Sequence, residues 1–285
     1  MKILTWNVQW CRGIDGRVDP ARIAAEVRRL GDADVVCLQE IADGYPEPRL
    51  AGSDGADQFR QLAALLPDRT ALPAVAVDQP GENGARRRFG NMILSRLPVK
   101  QVYRWLLPLP CEPGVAGMPR IAIEAVIAAP FGDVRVITTH LEWYSALQRG
   151  AQVDELRRIY ADGHAHARDG RRIMGVDKGP FETLVRPKAT VICGDFNLEY
   201  DSDQHARMVA PFGDATPALA NAWDLVHPGE PYPATFCIHA AMPGYGQLHC
   251  DFFFVDPQAG QRIADWQVDQ DTQASDHQPV LLTLR

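Results

Sequence analysis

The sequence predicts an α/β protein, and two observations carry that reading. Apolar, strand-forming runs at 2–8, 34–39, 90–95, 134–140 and 190–197 are interleaved with segments at 19–31, 57–66 and 144–160, whose apolar residues recur at helical spacing. Polar and ionisable residues, moreover, stand at or next to an end of five separate apolar strands: Asn7, Glu40, His140, Asp195 with Asn197, and Asp276 with His277. Residues placed in that way collect at the rim of a sheet, where they form an active site.

Taken in order, residues 2–8 read as a strand carrying Asn7 at its carboxyl end. Asp19 and Pro20 then start a helix as cap and first-turn residue, Ile23, Val27 and Leu30 share its apolar face, and Gly31 closes it. Residues 34–39 are a fully buried strand that delivers Glu40, and 57–66 form a second helix stopped by Pro67. The stretch 78–88 reads as a loop whose Arg86-Arg87-Arg88 triplet either grips phosphate or is solvated. Strands follow at 90–95, 99–107, 120–128 and 134–140, the third of them opened by Arg120 and the last ended by His140. After a helix at 144–160, the weakly periodic segment 161–187 is expected to be a surface insertion facing substrate.

The strand 190–197 is central, because four buried residues run straight into Gly194, Asp195, Phe196 and Asn197. If the chain stays extended, Asp195 and Asn197 share a face and Phe196 turns inward. A short strand is expected at 235–239 and a longer one at 248–255. The latter embeds Asp251 among aromatic residues, where a carboxylate needs a partner. Asp276 and His277 lead into the last strand, 279–284.

Composition narrows the function. With 285 residues, 46% hydrophobic and 23% charged, the chain reads as one globular domain over 1–285. Its net charge of −7 repels polyanions, so any nucleic-acid contact must be local or bridged by cations. The cysteines have no paired spacing that suggests zinc, and Cys37 and Cys193 lie in apolar runs as reduced core thiols. No signal peptide or membrane span is evident, which points to the cytoplasm and to no integral membrane association.

Oxygen donors such as Glu40, Asn7 and Asp276 suit Mg²⁺ or Mn²⁺, hard ions that also bind phosphate oxygens. No Gly-x-Ser-x-Gly elbow or Walker loop is present, which counts against a serine hydrolase or an NTPase. Metal-assisted hydrolysis of a phosphate ester fits these residue types better than acyl transfer.

The segments Thr5-Trp6-Asn7, Leu38-Gln39-Glu40, Gly90-Asn91-Met92-Ile93-Leu94-Ser95, Thr139-His140-Leu141, Gly194-Asp195-Phe196-Asn197, Asp251-Phe252-Phe253-Phe254 and Ser275-Asp276-His277-Gln278-Pro279 together resemble the endonuclease/exonuclease/phosphatase family. They span nearly the whole chain. The resemblance implies the deoxyribonuclease I-like fold, a four-layered α/β sandwich of two packed mixed β-sheets flanked by helices. It also implies Glu40 as principal metal ligand with Asn7 and Asp276 close by, Asp195 orienting or deprotonating the attacking water, and Asn197 holding a phosphate oxygen. His277 would face the phosphate, oriented by Asp251, and Arg120 matches the family arginine near the phosphate. His140 matches the second histidine of the deoxyribonuclease and sphingomyelinase branches and argues against the abasic-site branch. Gln9 departs from the acidic residue that abasic-site enzymes carry at this place.

The expected activity is therefore a divalent-metal-dependent phosphodiesterase, nuclease-like, acting on a phosphate ester such as nucleic acid or a nucleotide. A phospholipid or phosphoinositide head group is the alternative substrate, although no long exposed hydrophobic hairpin favours it. A binding protein with a decayed site is the non-enzymatic alternative, and it lacks the usual sign, loss of the metal carboxylate or a catalytic histidine.

Overall fold

The computed structural model describes residues 1–169, 179, 186–239 and 246–285. In chain order the elements are β1 (Lys2–Asn7), α1 (Pro20–Arg29), β2 (Val35–Asp43), α2 (Gln58–Leu65), β3 (Thr70–Pro80), β4 (Arg86–Ser95), β5 (Val99–Leu106), β6 (Ile121–Ala129), β7 (Gly132–His140), α3 (Ala146–Asp169), β8 (Thr190–Asp195), α4 (Asp203–Val209), β9 (Ala220–Asn221), α5 (Ala222–Val226), β10 (Asp251–Val255), α6 (Pro257–Gly260), β11 (Ile263–Val268) and β12 (Val280–Leu284). The strands form two six-stranded sheets, ordered β11-β12-β1-β2-β4-β3 and β5-β6-β7-β8-β10-β9. Both are mixed, because β1 pairs parallel to β2 and β7 parallel to β8 while the other pairings are antiparallel.

The sheets pack face to face because alternate residues of each strand are apolar on the inner side. Ile3, Val35, Cys37 and Ile93 of the first sheet join one buried cluster with Ile123, Val136, Val191 and Cys193 of the second. Within this interface Gln39 Nε2 donates to Thr5 Oγ1 at 3.2 Å and to Thr138 Oγ1 at 2.9 Å, so a buried amide bridges the sheets. Leu4, Trp6, Val36 and Leu38 point the other way, against Ile23 and Val27 of α1 and Phe59 and Leu62 of α2. Asp19 caps α1 by accepting from the backbone N–H groups of Ala21 and Arg22, as its sequence signature requires.

The second sheet is covered by α3, whose Val153, Leu156 and Ile159 are fully buried. Beneath it, Glu124 of β6 accepts from Arg135 Nε at 2.8 Å and from Arg186 Nη2 at 2.6 Å. Helices outside two packed sheets complete the expected four layers. Among the described residues no helix is long and apolar enough to cross a membrane.

Several sequence expectations change. β2 does not end at Gln39 but runs on to Asp43, with its pairing to β4 shifted between Leu38 and Ile41. The stretch 78–88 is largely the distal end of the β3/β4 hairpin, in which Arg86 pairs with Asp78 and Arg88 with Asp43. Residues 235–239 form no strand, and Phe236 makes only isolated bridges to Leu248 and His277. Residues through Asp169 extend α3. The remainder of the expected insertion at 161–187 lies outside the described residues, apart from 179 and 186–187.

Candidate active site

Strand ends from both sheets meet around one cavity of about 400 Å³, and its lining includes Glu40, Arg120, His140, Asp195, Asn197, Asp276 and His277. Asn7 is buried just behind them and donates through Nδ2 to Glu40 Oε1 at 3.2 Å and to Asp195 Oδ2 at 2.8 Å. Its Oδ1 accepts from the backbone N–H of Gln9 at 3.0 Å. Asn7 thus fixes one carboxylate from each sheet. All nine residues singled out by sequence therefore come to one region, with Asp251 reaching it through His277.

Local backbone geometry aims these groups. Glu40 sits where the β2 pairing shifts and has φ 62°, a left-handed conformation that turns its side chain out of the strand's alternation. Asn197 likewise has φ 50°, and its backbone N–H donates to Asp195 Oδ1 at 3.0 Å. Asp195 and Asn197 are neighbours because the chain curls after β8, not because an extended strand alternates there. Gly194, with φ 139°, lies against β7 so closely that a Cβ would stand 2.0 Å from the Thr139 carbonyl oxygen. That approach sets His140 directly beside Asp195 in the β7/β8 register.

The two imidazoles carry opposite character. His277 Nδ1 lies 2.9 Å from Asp251 Oδ2, and its Nε2 is 3.6 Å from Asp195 Oδ2. Burial alone would lower its pKa, but the Asp251 and Asp195 carboxylates outweigh burial and raise it to about 10. His277 is therefore an imidazolium at neutral pH, with Nδ1–H donating to Asp251. His140 is held well below the usual histidine range by burial and by the nearby charges of Arg120 and His277. Asn197 Nδ2 lies 2.9 Å from the Leu141 carbonyl, which must accept, and 3.0 Å from His140 Nε2. The amide therefore donates to His140 Nε2, and the neutral ring carries its proton on Nδ1.

Glu40 and Asp276 are the carboxylates that could hold a cation. Burial, and next the charge of Asp276, raise the Glu40 pKa to about 7. Gln9 Nε2 donates to Asp276 Oδ2, while the preceding Ser275 is held by its Oγ donating to the Asn7 carbonyl at 2.8 Å. Two oxygen-donor groups that repel each other beside an open cavity are the donor set a hard divalent ion neutralises. Asp195, Asp251 and His277 also bring ligand-type atoms within 4.8 Å of one another. There, however, His277 Nδ1 is already occupied by Asp251.

Sequence reasoning missed Glu142, which is fully buried and accepts from Arg120 Nε at 3.2 Å and from the backbone N–H groups of Met118 and Tyr144. Its position two residues after His140 was the available signal. Arg120 Nη1 is buried and has no partner among the described residues. Arg120 itself lines the cavity, and a buried donor without a partner is costly, a cost that an anion in the cavity could relieve. Phe236 was missed as well, and its ring packs on His277 at 4.6 Å between centroids.

The chain is similar to several solved structures. An endonuclease/exonuclease/phosphatase from Beutenbergia cavernae DSM 12333 shares 26% identity, with 100% of this chain and 71% of that one covered at a TM-score of 0.65. A mannosyl-6-phosphatase from Bacteroides thetaiotaomicron VPI-5482 shares 15% identity over 100% of this chain and 99% of its own, at a TM-score of 0.65. D. rerio TDP2 complexed with a single-strand DNA product shares 16% identity, with 100% and 98% covered, at a TM-score of 0.64. The last two likenesses are of fold. A search of curated proteins returns no match. The sequence pattern of the Endonuclease/Exonuclease/phosphatase family matches residues 4–277, a span that includes all nine of these side chains, so the chain belongs to that family of phosphoester hydrolases.

Proposed function

We propose that the protein is a divalent-metal-dependent phosphodiesterase, nuclease-like in its chemistry, that uses Mg²⁺ or Mn²⁺. The observation that carries this reading is the convergence of the Glu40 and Asp276 carboxylates, the charged His277, the neutral His140 and Arg120, whose Nη1 is unpaired, on one cavity. Glu40 and Asp276 would hold the ion, and Asn7 would orient Glu40 for it. Bound there, the ion would supply positive charge beside the phosphoryl oxygens.

The remaining steps belong to the chain's own groups. Arg120 Nη1 donates to a non-bridging phosphate oxygen, with Nε anchored on Glu142. Asp195, whose carboxyl is pushed up by burial against the lowering influence of His277, accepts a proton from the attacking water. Asn7 keeps Asp195 Oδ2 fixed for that task. His277, backed by Asp251, carries a proton on Nε2 toward the phosphate or the departing oxygen. His140, neutral in this arrangement, stabilises charge by hydrogen bonding. Asn197 has its amide hydrogens on Leu141 and His140, so it orients His140 and reaches a phosphate oxygen only by releasing one of them.

Turnover of bis(p-nitrophenyl) phosphate with Mg²⁺ or Mn²⁺ tests the assignment against Glu40→Ala and His277→Ala. Both variants are expected to lose at least about a hundredfold in kcat/KM. Equal turnover by all three proteins would end the proposal, and hydrolysis of p-nitrophenyl phosphate alone would replace it with a phosphomonoesterase.

A further inference from the structure

One flank of the cavity is aromatic where hydrolysis of a bare phosphate would need nothing but charge. Trp10, Met118, Tyr144 and Phe236 line it alongside the ionisable groups. Phe236 is in ring contact with both His277 and Trp143, so an apolar row starts at the imidazolium itself. Tyr144 lines the same cavity and is 67% exposed, so its ring is open to a ligand there.

Trp10 is placed there at an energetic penalty. Gln9, Trp10 and Cys11 have φ of 45°, 43° and 61°, three consecutive left-handed residues of which none is glycine. The run is held by Gln58 Nε2 donating to the Trp10 carbonyl at 2.7 Å, and the indole Nε1 donates to the Ala51 carbonyl at 3.0 Å. Outliers of this sort persist where the surroundings fix a side chain for use.

Resting on the phosphoester-hydrolase reading above, we propose that the substrate is a small phosphodiester with one flat aromatic substituent, such as a nucleobase or aryl group, held against Trp10, Tyr144 and Phe236. The volume of about 400 Å³ suits a single small molecule. Arg120 Nη1 offers one anion-binding group, and the net charge of −7 repels a long polyanion. A charged mouth and an apolar flank thus divide the ligand into a phosphate and a ring.

Two measurements on the full chain test this. Calorimetry compares phenylphosphonate with methylphosphonate, probes that cannot be hydrolysed, in the presence of Mg²⁺. Kinetics compare p-nitrophenyl phenyl phosphate with p-nitrophenyl methyl phosphate, which share the nitrophenolate leaving group and differ only in the substituent retained on phosphorus, the one assigned to the aromatic flank. The phenyl compound is expected to bind at least about tenfold tighter and to be turned over with at least about tenfold higher kcat/KM. Both ratios are expected to fall toward one in Trp10→Ala and in Tyr144→Ala, the second being a surface change that should not disturb folding.

Equal affinities in the wild type, or ratios unchanged in both variants, overturn the proposal. If neither ester is hydrolysed but the phosphonate preference is present and lost in the variants, the aromatic flank stands and the phosphodiesterase reading falls. If both esters are hydrolysed without preference, the reverse holds.

Discussion

At the scale of single residues, the site works by giving chemically similar groups different charge states. His277 and His140 are both buried, yet Asp251 and Asp195 hold the first protonated, while burial, aided by the charges of Arg120 and His277, keeps the second neutral. Asp251→Asn should therefore bring the His277 pKa down from about 10, an effect visible in an NMR titration of its ring protons. A raised histidine pKa adds stability below its unfolded value near 6.5, and this is lost as pH rises through 10. The substitution removes that contribution, and kcat should fall about a hundredfold or more, most steeply on the alkaline side. An unchanged titration of His277 would show that Asp251 does not govern it. That Asp251 had to find a partner was legible from its place inside an aromatic run, and the family resemblance named His277 as that partner. Glu142 offered only its place two residues after His140, because its role depends on Arg120, which stands just before β6.

At the scale of elements, the close approach of β7 and β8 is what sets His140 beside Asp195. Gly194→Ala would drive a Cβ to within 2.0 Å of the Thr139 carbonyl at a φ of 139°, so β8 must move away from β7. A loss of about 3 kcal/mol or more in denaturant unfolding is expected, with activity falling further than stability accounts for. Full activity in the variant would mean that this spacing is not what aligns the pair. Farther from the cavity, Glu124 is the only carboxylate between Arg135 and Arg186 in the described hydrogen bonds. Glu124→Gln leaves two buried guanidinium groups facing an amide, which should cost about 3–5 kcal/mol and lower Tm by roughly 6–10 °C in calorimetry. A shift under about 2 °C would mean that the triad contributes little.

The strands around both features could be read from residue types, because buried apolar runs and a capped helix are local signals. The turn of Glu40 and Asn197 into left-handed conformations could not, since β2 is kinked by its pairing with β4 and the chain after β8 is curled by a contact to Asp195. Residues 161–169 read as irregular because the polar His164 and His166 interrupt the helical pattern, although α3 packs across the second sheet regardless. β11 escaped notice because only one of its residues, Trp266, is buried, so its sequence lacks the apolar run that marks an inner strand.

At the scale of the whole molecule, the site exists only while the two sheets stay in register. Glu40 and Asp276 come from the first sheet and its loop, His140, Asp195 and Asp251 from the second, and Asn7 and His277 bind across the boundary. The expected cation would sit at that boundary, so its binding should stabilise the entire fold. The sign follows from Glu40. Its folded pKa, raised from 4.5 to about 7, means that the ionised carboxylate opposes folding in full above pH 7, and that this penalty is absent below pH 4.5. With 19% of the side chain exposed, the penalty is about 2 kcal/mol, less than full burial would give. A cation binds the ionised form and relieves it, whereas a proton competes with the cation at lower pH. Mg²⁺ at a hundredfold excess over its Kd should then add about 2.7 kcal/mol, or roughly 5 °C in Tm, at pH 8. The gain should shrink at pH 5.5 and be mostly lost in Glu40→Gln, and chelation with EDTA should reverse it. A Tm shift of the same size at both pH values, or one retained in Glu40→Gln, would place the ion elsewhere on the molecule.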